Sequence, residues 1–160
     1  MKTVYIVRHG KAIHATANVV DVDRLLTDTG VARTCRVALY MAESKPVIDQ
    51  IISSPAERAY ATALIIADKL GYQASSIKTE EKLFTGDDKD TLDIIGGLDD
   101  SINTVVIVVH NPVITQVANH FAEPKLESLP TTGVVSVHLE TEKWSDLKKA
   151  KVIQNFTVWP

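Results

Sequence analysis

Val4-Tyr5-Ile6-Val7-Arg8-His9-Gly10 is the stretch that decides the fold. Four consecutive apolar residues, rich in β-branching, read as a strand buried on both faces. The run stops at two basic residues and a glycine, so a polar cluster stands at the strand's carboxyl end. Moving outward, Gln50-Ile51-Ile52, with Val47-Ile48 ahead of it, reads as a second strand, and Thr104 to Val109 as the clearest buried strand of the chain. Each is followed by a helix-start signal. Ser54-Pro55-Ala56-Glu57 has the form of a capping box with proline in the first turn, and His110-Asn111-Pro112 repeats the cap-plus-proline pattern.

The intervals read as helices and edges. Thr27 offers an N-cap to a helix over 28–44, with Cys35, Ala38, Leu39 and Ala42 as its apolar stripe. Ala59, Ala63, Ile66 and Leu70 mark the buried side of the next helix, which Gly71 stops. Residues 11–26 and 84–88 read as loops, 76–80 as a weak edge strand, 89–98 as a helix, and a further helix follows Pro112. Val134–Leu139 and Val152–Val158 read as closing edge strands. Strand–helix alternation of this kind predicts an α/β chain, a three-layer α/β/α domain with a largely parallel central sheet. One domain is expected over residues 1–160.

Composition narrows the class. Hydrophobic residues make 45% and charged residues 23% of the 160, as in an ordinary folded domain. Seventeen Lys and Arg against 20 Asp and Glu give a net charge of −3, which argues against binding to nucleic-acid backbone. The single Cys35 leaves neither a disulfide framework nor a cysteine zinc site. No apolar run approaches a membrane span or a signal-peptide core. A soluble cytoplasmic protein is the expectation.

The carboxyl ends of strands line the ligand crevice in such sheets. Three of those ends carry Arg8-His9, the Ser54–Arg58 turn and His110, scattered in sequence yet able to converge. Two guanidiniums and two helix N-termini make an anion trap, and arginine's bidentate fork fits phosphate as lysine cannot; a carboxylate is the alternative anion, but two arginines plus two imidazoles offer more charge than one carboxylate carries. One imidazole can attack phosphorus and carry the phosphoryl group while the other binds its oxygens. No cofactor and no metal is expected, because the arginines supply positive charge. Taken singly, these residues are bland: a strand-end histidine is more often structural, and Ser54–Glu57 is explained as a cap. His14, His120 and His138 have no evident partners, and Cys35 reads as a small core residue.

Arg8-His9-Gly10, Ser54-Pro55-Ala56-Glu57-Arg58-Ala59 with Thr62-Ala63, and Val109-His110-Asn111-Pro112 together resemble the histidine phosphatase superfamily, whose fold is phosphoglycerate-mutase-like. Lys11-Ala12, Asp23-Arg24-Leu25-Leu26-Thr27 with Gly30, and Leu129-Pro130-Thr131-Thr132-Gly133 bring the resemblance closer to its small SixA-type phosphohistidine phosphatases. Leu25 stands where that group often has proline. The resemblance implies His9 as the phosphoryl-accepting nucleophile, Arg8 and Arg58 as the phosphate clamp, His110 as the second pocket imidazole, and Arg24 as an additional phosphate contact. It implies no recognisable general acid. Glu80, Glu81, Asp87 and Asp88 fall in the right region but in no motif.

The expected activity is therefore hydrolysis of a phosphoryl group through a covalent phosphohistidine. The expected substrate is a phosphorylated protein: a histidine kinase, a phosphotransfer domain or a phosphocarrier. A small phosphorylated metabolite handled by the same mechanism is the alternative. A non-catalytic phosphate-binding module is a third reading, against which the presence of a nucleophile counts.

Overall fold

A computed structural model describes the backbone of residues 1–158 and the side chains of residues 1–153. Six strands form one sheet: β1 (Lys2–Arg8), β2 (Gln50–Ser53), β3 (Lys78–Thr79), β4 (Thr104–Val109), β5 (Val134–Glu140) and β6 (Lys151–Val158). Their order is β3-β2-β4-β1-β5-β6. The four strands from β3 to β1 pair in parallel, and β5 and β6 add antiparallel to the β1 edge. The sheet is thus largely parallel on the side that carries the expected site.

Five helices cover its two faces: α1 (Asp28–Glu43), α2 (Glu57–Leu70), α3 (Lys82–Thr85), α4 (Asp88–Gly96) and α5 (Val113–Asn119). Alternation along the buried strands sorts the core into two layers. Tyr5, Val7, Ile51, Val106 and Val108 face α1 and α2, where they meet Val37, Met41, Ala59, Ala63 and Ile66. Val4, Ile6, Ile52, Val105, Ile107 and Val109 face the other way, onto α4 and α5 through Leu92, Ile95, Ile114 and Val117. Three layers result, because β1 and β4 bury both faces and need a helical cover on each.

Several local expectations are corrected. The strand at 50–53 does not include Val47-Ile48, and Val47 is exposed. The buried stripe of α1 runs through Gly30, Thr34, Val37, Ala38 and Met41. Leu39 is 54% exposed and Cys35 is half-buried. Thr34 takes a buried place in the stripe because its hydroxyl is satisfied within the helix, donating to the Gly30 carbonyl at 2.7 Å. Ser54 does not cap α2, whose N-cap is Ala56 with no side-chain bond. Its hydroxyl accepts instead from the Ala56 amide at 3.2 Å, closing a tight turn before the helix begins. Residues 84–88 are not wholly loop, since α3 reaches Thr85. A reciprocal Asp87–Asp90 capping box then starts α4.

Candidate active site

His9 is the first residue past β1, yet the sheet's bonding continues through it. Its amide donates to the Val109 carbonyl at 3.1 Å, and its carbonyl accepts from the Thr132 amide at 3.1 Å. Arg8 donates its amide to the Gly133 carbonyl. The end of β4 on one side and the 129–133 turn on the other therefore fix the His9 backbone. The residue is 6% exposed.

His9 Nδ1 lies 2.7 Å from the Gly10 carbonyl. A carbonyl only accepts, so Nδ1 carries the proton and Nε2 presents its lone pair. Arg58 donates to that lone pair through Nε at 3.2 Å. Burial pushes the His9 pKa down to about 4, with the nearby charges of Arg58, Arg8 and His110 acting in the same direction. The imidazole is neutral at physiological pH, with the Nε2 lone pair turned toward Arg58.

Arg58 sits in the first turn of α2 and is 4% exposed. Thr62, one turn later, holds α2 to β1: its hydroxyl donates to the Arg58 carbonyl at 2.7 Å and accepts from the Gly10 amide at 2.9 Å. The guanidinium also donates Nη1 to the Asp21 carbonyl at 2.8 Å and Nη2 to Asp21 Oδ2 at 3.2 Å. Arg8 donates Nη1 to the Leu129 carbonyl at 2.9 Å. Its Nε is buried with no acceptor among the described residues, and burial pulls the Arg8 pKa below the usual arginine range. His110 follows β4, with Nε2 3.1 Å from the Phe84 carbonyl and its ring edge-on to the Phe84 ring at 6.2 Å.

The fold thus brings Arg8, His9, Arg58 and His110 to neighbouring strand ends. Arg24 stands further out. Its Nε donates to the Ile13 carbonyl at 2.6 Å and its Nη1 to Asp21 Oδ1 at 3.0 Å, so it joins the group through Asp21. Of the acidic candidates, Asp87 caps α4 and Asp88 Oδ2 pairs with His120 Nε2 at 3.0 Å, which also gives His120 the partner its sequence context hid. Glu80 and Glu81 are exposed at the start of α3. His138 likewise has partners, Thr3 and Ser136.

Asp21 is the site residue that sequence reasoning missed. Its signal was present as an acid three residues before a base, the spacing of a local ion pair, but it lay in a stretch read only as loop. The Leu129 and Phe84 carbonyls were also missed, and backbone acceptors leave no trace in side-chain patterns. Chemically, the arrangement is a neutral imidazole beside guanidinium donors, one of which has a buried N–H with no acceptor among the described residues. A neutral imidazole is able to act as a nucleophile, and buried guanidinium donors are able to hold anionic oxygens.

Comparison with known proteins agrees with this geometry. A chain named SixA from Nakamurella multipartitia superposes with a TM-score of 0.81 at 21% identity, covering 99% of this chain and 96% of that one. The protein histidine phosphatase SixA complexed with tungstate gives 0.80 at 22% identity, over 96% and 95%. ML1117, an uncharacterized protein of Mycobacterium leprae, is 25% identical over 88% of this chain and 91% of its own length. The family model for branch 1 of the histidine phosphatase superfamily matches residues 4–84, half of the chain, and so takes in His9 and Arg58. With the phosphoglycerate-mutase-like fold and this family match together, the chain belongs to the histidine phosphatase superfamily, branch 1.

Proposed function

We propose that this protein is a phosphohistidine phosphatase acting through a covalent phosphoryl group on His9. The observation that carries the reading is the His9 tautomer: Gly10 holds the proton on Nδ1, so the Nε2 lone pair faces Arg58. In the first step that pair attacks phosphorus. The bond between phosphorus and the substrate's imidazole nitrogen breaks with the pair going to nitrogen; the other nitrogen of that ring carries a proton from solvent, so the group departs as neutral imidazole. In the second step water attacks phosphorus, the P–Nε2 bond returns its pair to His9, and inorganic phosphate leaves with the water's oxygen. Arg8, Arg58 and His110 balance charge on the phosphoryl oxygens throughout. In this reading the cationic side chains do what a metal does elsewhere, and Arg24 contributes from the rim.

The substrate class follows from the leaving group. An imidazole has a reference pKa of about 6.5 and departs without a placed acid, whereas an alkoxide gains much from one. Asp87 and Asp88 are committed to the α4 cap and to His120. This favours a phosphoramidate on a protein side chain: a histidine kinase, phosphotransfer domain or phosphocarrier. The likeness to a protein named as a histidine phosphatase supports the same choice. The alternative is a small phosphate ester, as in the name of the glucosyl-3-phosphoglycerate phosphatase that shares the fold at a TM-score of 0.65. Turnover of a phosphohistidine protein against a panel of sugar phosphates decides. Preference for phosphohistidine by at least tenfold in kcat/KM is expected, and faster hydrolysis of a sugar phosphate overturns the assignment.

A further inference from the structure

The clamp described above holds an anion of its own. Asp21 belongs to a short 3-10 turn, Asp21–Asp23, in the loop between β1 and α1. Its carboxylate spans two guanidiniums, with Oδ1 on Arg24 at 3.0 Å and Oδ2 on Arg58 at 3.2 Å. The Arg58 edge that matters carries Nε and Nη2 side by side. Nε donates to His9 Nε2 and Nη2 to Asp21 Oδ2. A phosphoryl group bonded to His9 Nε2 has to place an oxygen along that same edge, where the carboxylate stands.

Resting on the phosphatase reading, we infer that Asp21 is a resident counter-anion of the clamp, displaced from Arg58 by the phosphoryl group and setting how weakly the site retains phosphate. Displacement requires little of the backbone. Arg58 Nη1 keeps its bond to the Asp21 carbonyl at 2.8 Å, so the guanidinium stays oriented while the carboxylate swings away. The side chain is 51% exposed, which gives it solvent to swing into. The carboxylate is also well placed to stay charged, since the Arg24 bond, followed by Arg58, holds its pKa below the usual range. A clamp of cationic donors with no such competitor would hold its product, inorganic phosphate, through charge-assisted bonds and release it slowly.

Asp21→Asn removes the charge while the backbone bond to Arg58 survives and the amide oxygen still accepts from Nη2; the Arg24 bond is given up, because the amide nitrogen in place of Oδ1 only donates. Inorganic phosphate is titrated calorimetrically into wild-type protein, Asp21→Asn, Asp23→Asn and Arg58→Ala. Asp23 is exposed two residues away and controls for net charge alone. Asp21→Asn should bind phosphate about tenfold more tightly, Asp23→Asn within about twofold of wild type, and Arg58→Ala far more weakly. In turnover, KM and the inhibition constant for phosphate should fall together in Asp21→Asn. Unchanged or weaker phosphate binding by Asp21→Asn, or a raised KM with a lowered kcat, overturns the inference and makes Asp21 a positioning residue for Arg58. Phosphate binding that survives Arg58→Ala undamaged overturns the site reading itself, a separate failure.

Discussion

The protonation of His9 can be followed directly across pH. Burial lowers its pKa to about 4 from an ordinary 6.5. At pH 5.5 an ordinary histidine would be about 9% neutral, whereas one with a pKa of 4 is about 97% neutral, roughly a tenfold difference in competent nucleophile. Protonation is opposed locally as well, because a proton on Nε2 would face the Arg58 Nε–H at 3.2 Å. The assay is a heteronuclear NMR titration of the imidazole nitrogens, with His9→Gln assigning the signal. His9 should remain the Nδ1–H tautomer down to about pH 5 and titrate near 4. Stability follows with a definite sign. The folded His9 binds fewer protons than the unfolded one between about pH 4 and 6.5, so stability falls as pH drops through that window. The loss reaches about 3 kcal/mol near and below pH 4, and His9→Gln should lack that component of the slope. A His9 that titrates near 6.5, or carries its proton on Nε2, refutes the tautomer argument.

Two other perturbations follow from the same geometry. Arg58→Ala removes the donor to Nε2 and one of the cations that depress the His9 pKa. It should lower kcat/KM on the order of 10²–10³ and move the His9 pKa upward, both readable on one variant by kinetics and NMR; an unchanged rate would take Arg58 out of the clamp. Gly30→Ala would drive a Cβ into the Lys11 carbonyl, with the Lys11 nitrogen only 3.1 Å away. Both obstacles are backbone, so a cost of about 1–3 kcal/mol is expected in denaturant melts. Activity should fall with it, because Lys11 adjoins the Gly10 carbonyl that orients His9. Full activity and full stability would show that the packing of α1 against residues 10–12 is irrelevant to the site.

The central strands were legible because β1 and β4 are buried on both faces and carry the apolar β-branched runs that such burial demands. Thr104–Val109 appears residue for residue. Strand ends were legible as well, and with them the places of Arg8, His9 and His110 in the fold, while Arg58 lies in the first turn of α2. Side chains that serve a helix start were less so. Ser54 has the composition of a cap, but the chain makes a tight turn first, and composition does not distinguish the two. The α1 stripe was misplaced by one position because a threonine satisfied by its own helix carbonyl can be buried as readily as an alanine. Residues 11–26 carry only a loop's signature in the sequence. Their order comes from a bond across the loop, Arg24 to the Ile13 carbonyl, and one from α2, Arg58 to the Asp21 carbonyl, and a backbone acceptor leaves no side-chain pattern.

The proposed chemistry turns on one nitrogen, Nε2 of His9. Protein mixed with a phosphohistidine substrate and quenched in alkali within milliseconds should carry phosphate on His9, located by mass spectrometry as a phosphoramidate at Nε2, and His9→Ala should carry none while keeping its fold. Substrate turnover with phosphate on another residue, or with no labelled protein at any quench time while His9→Ala remains active, contradicts it.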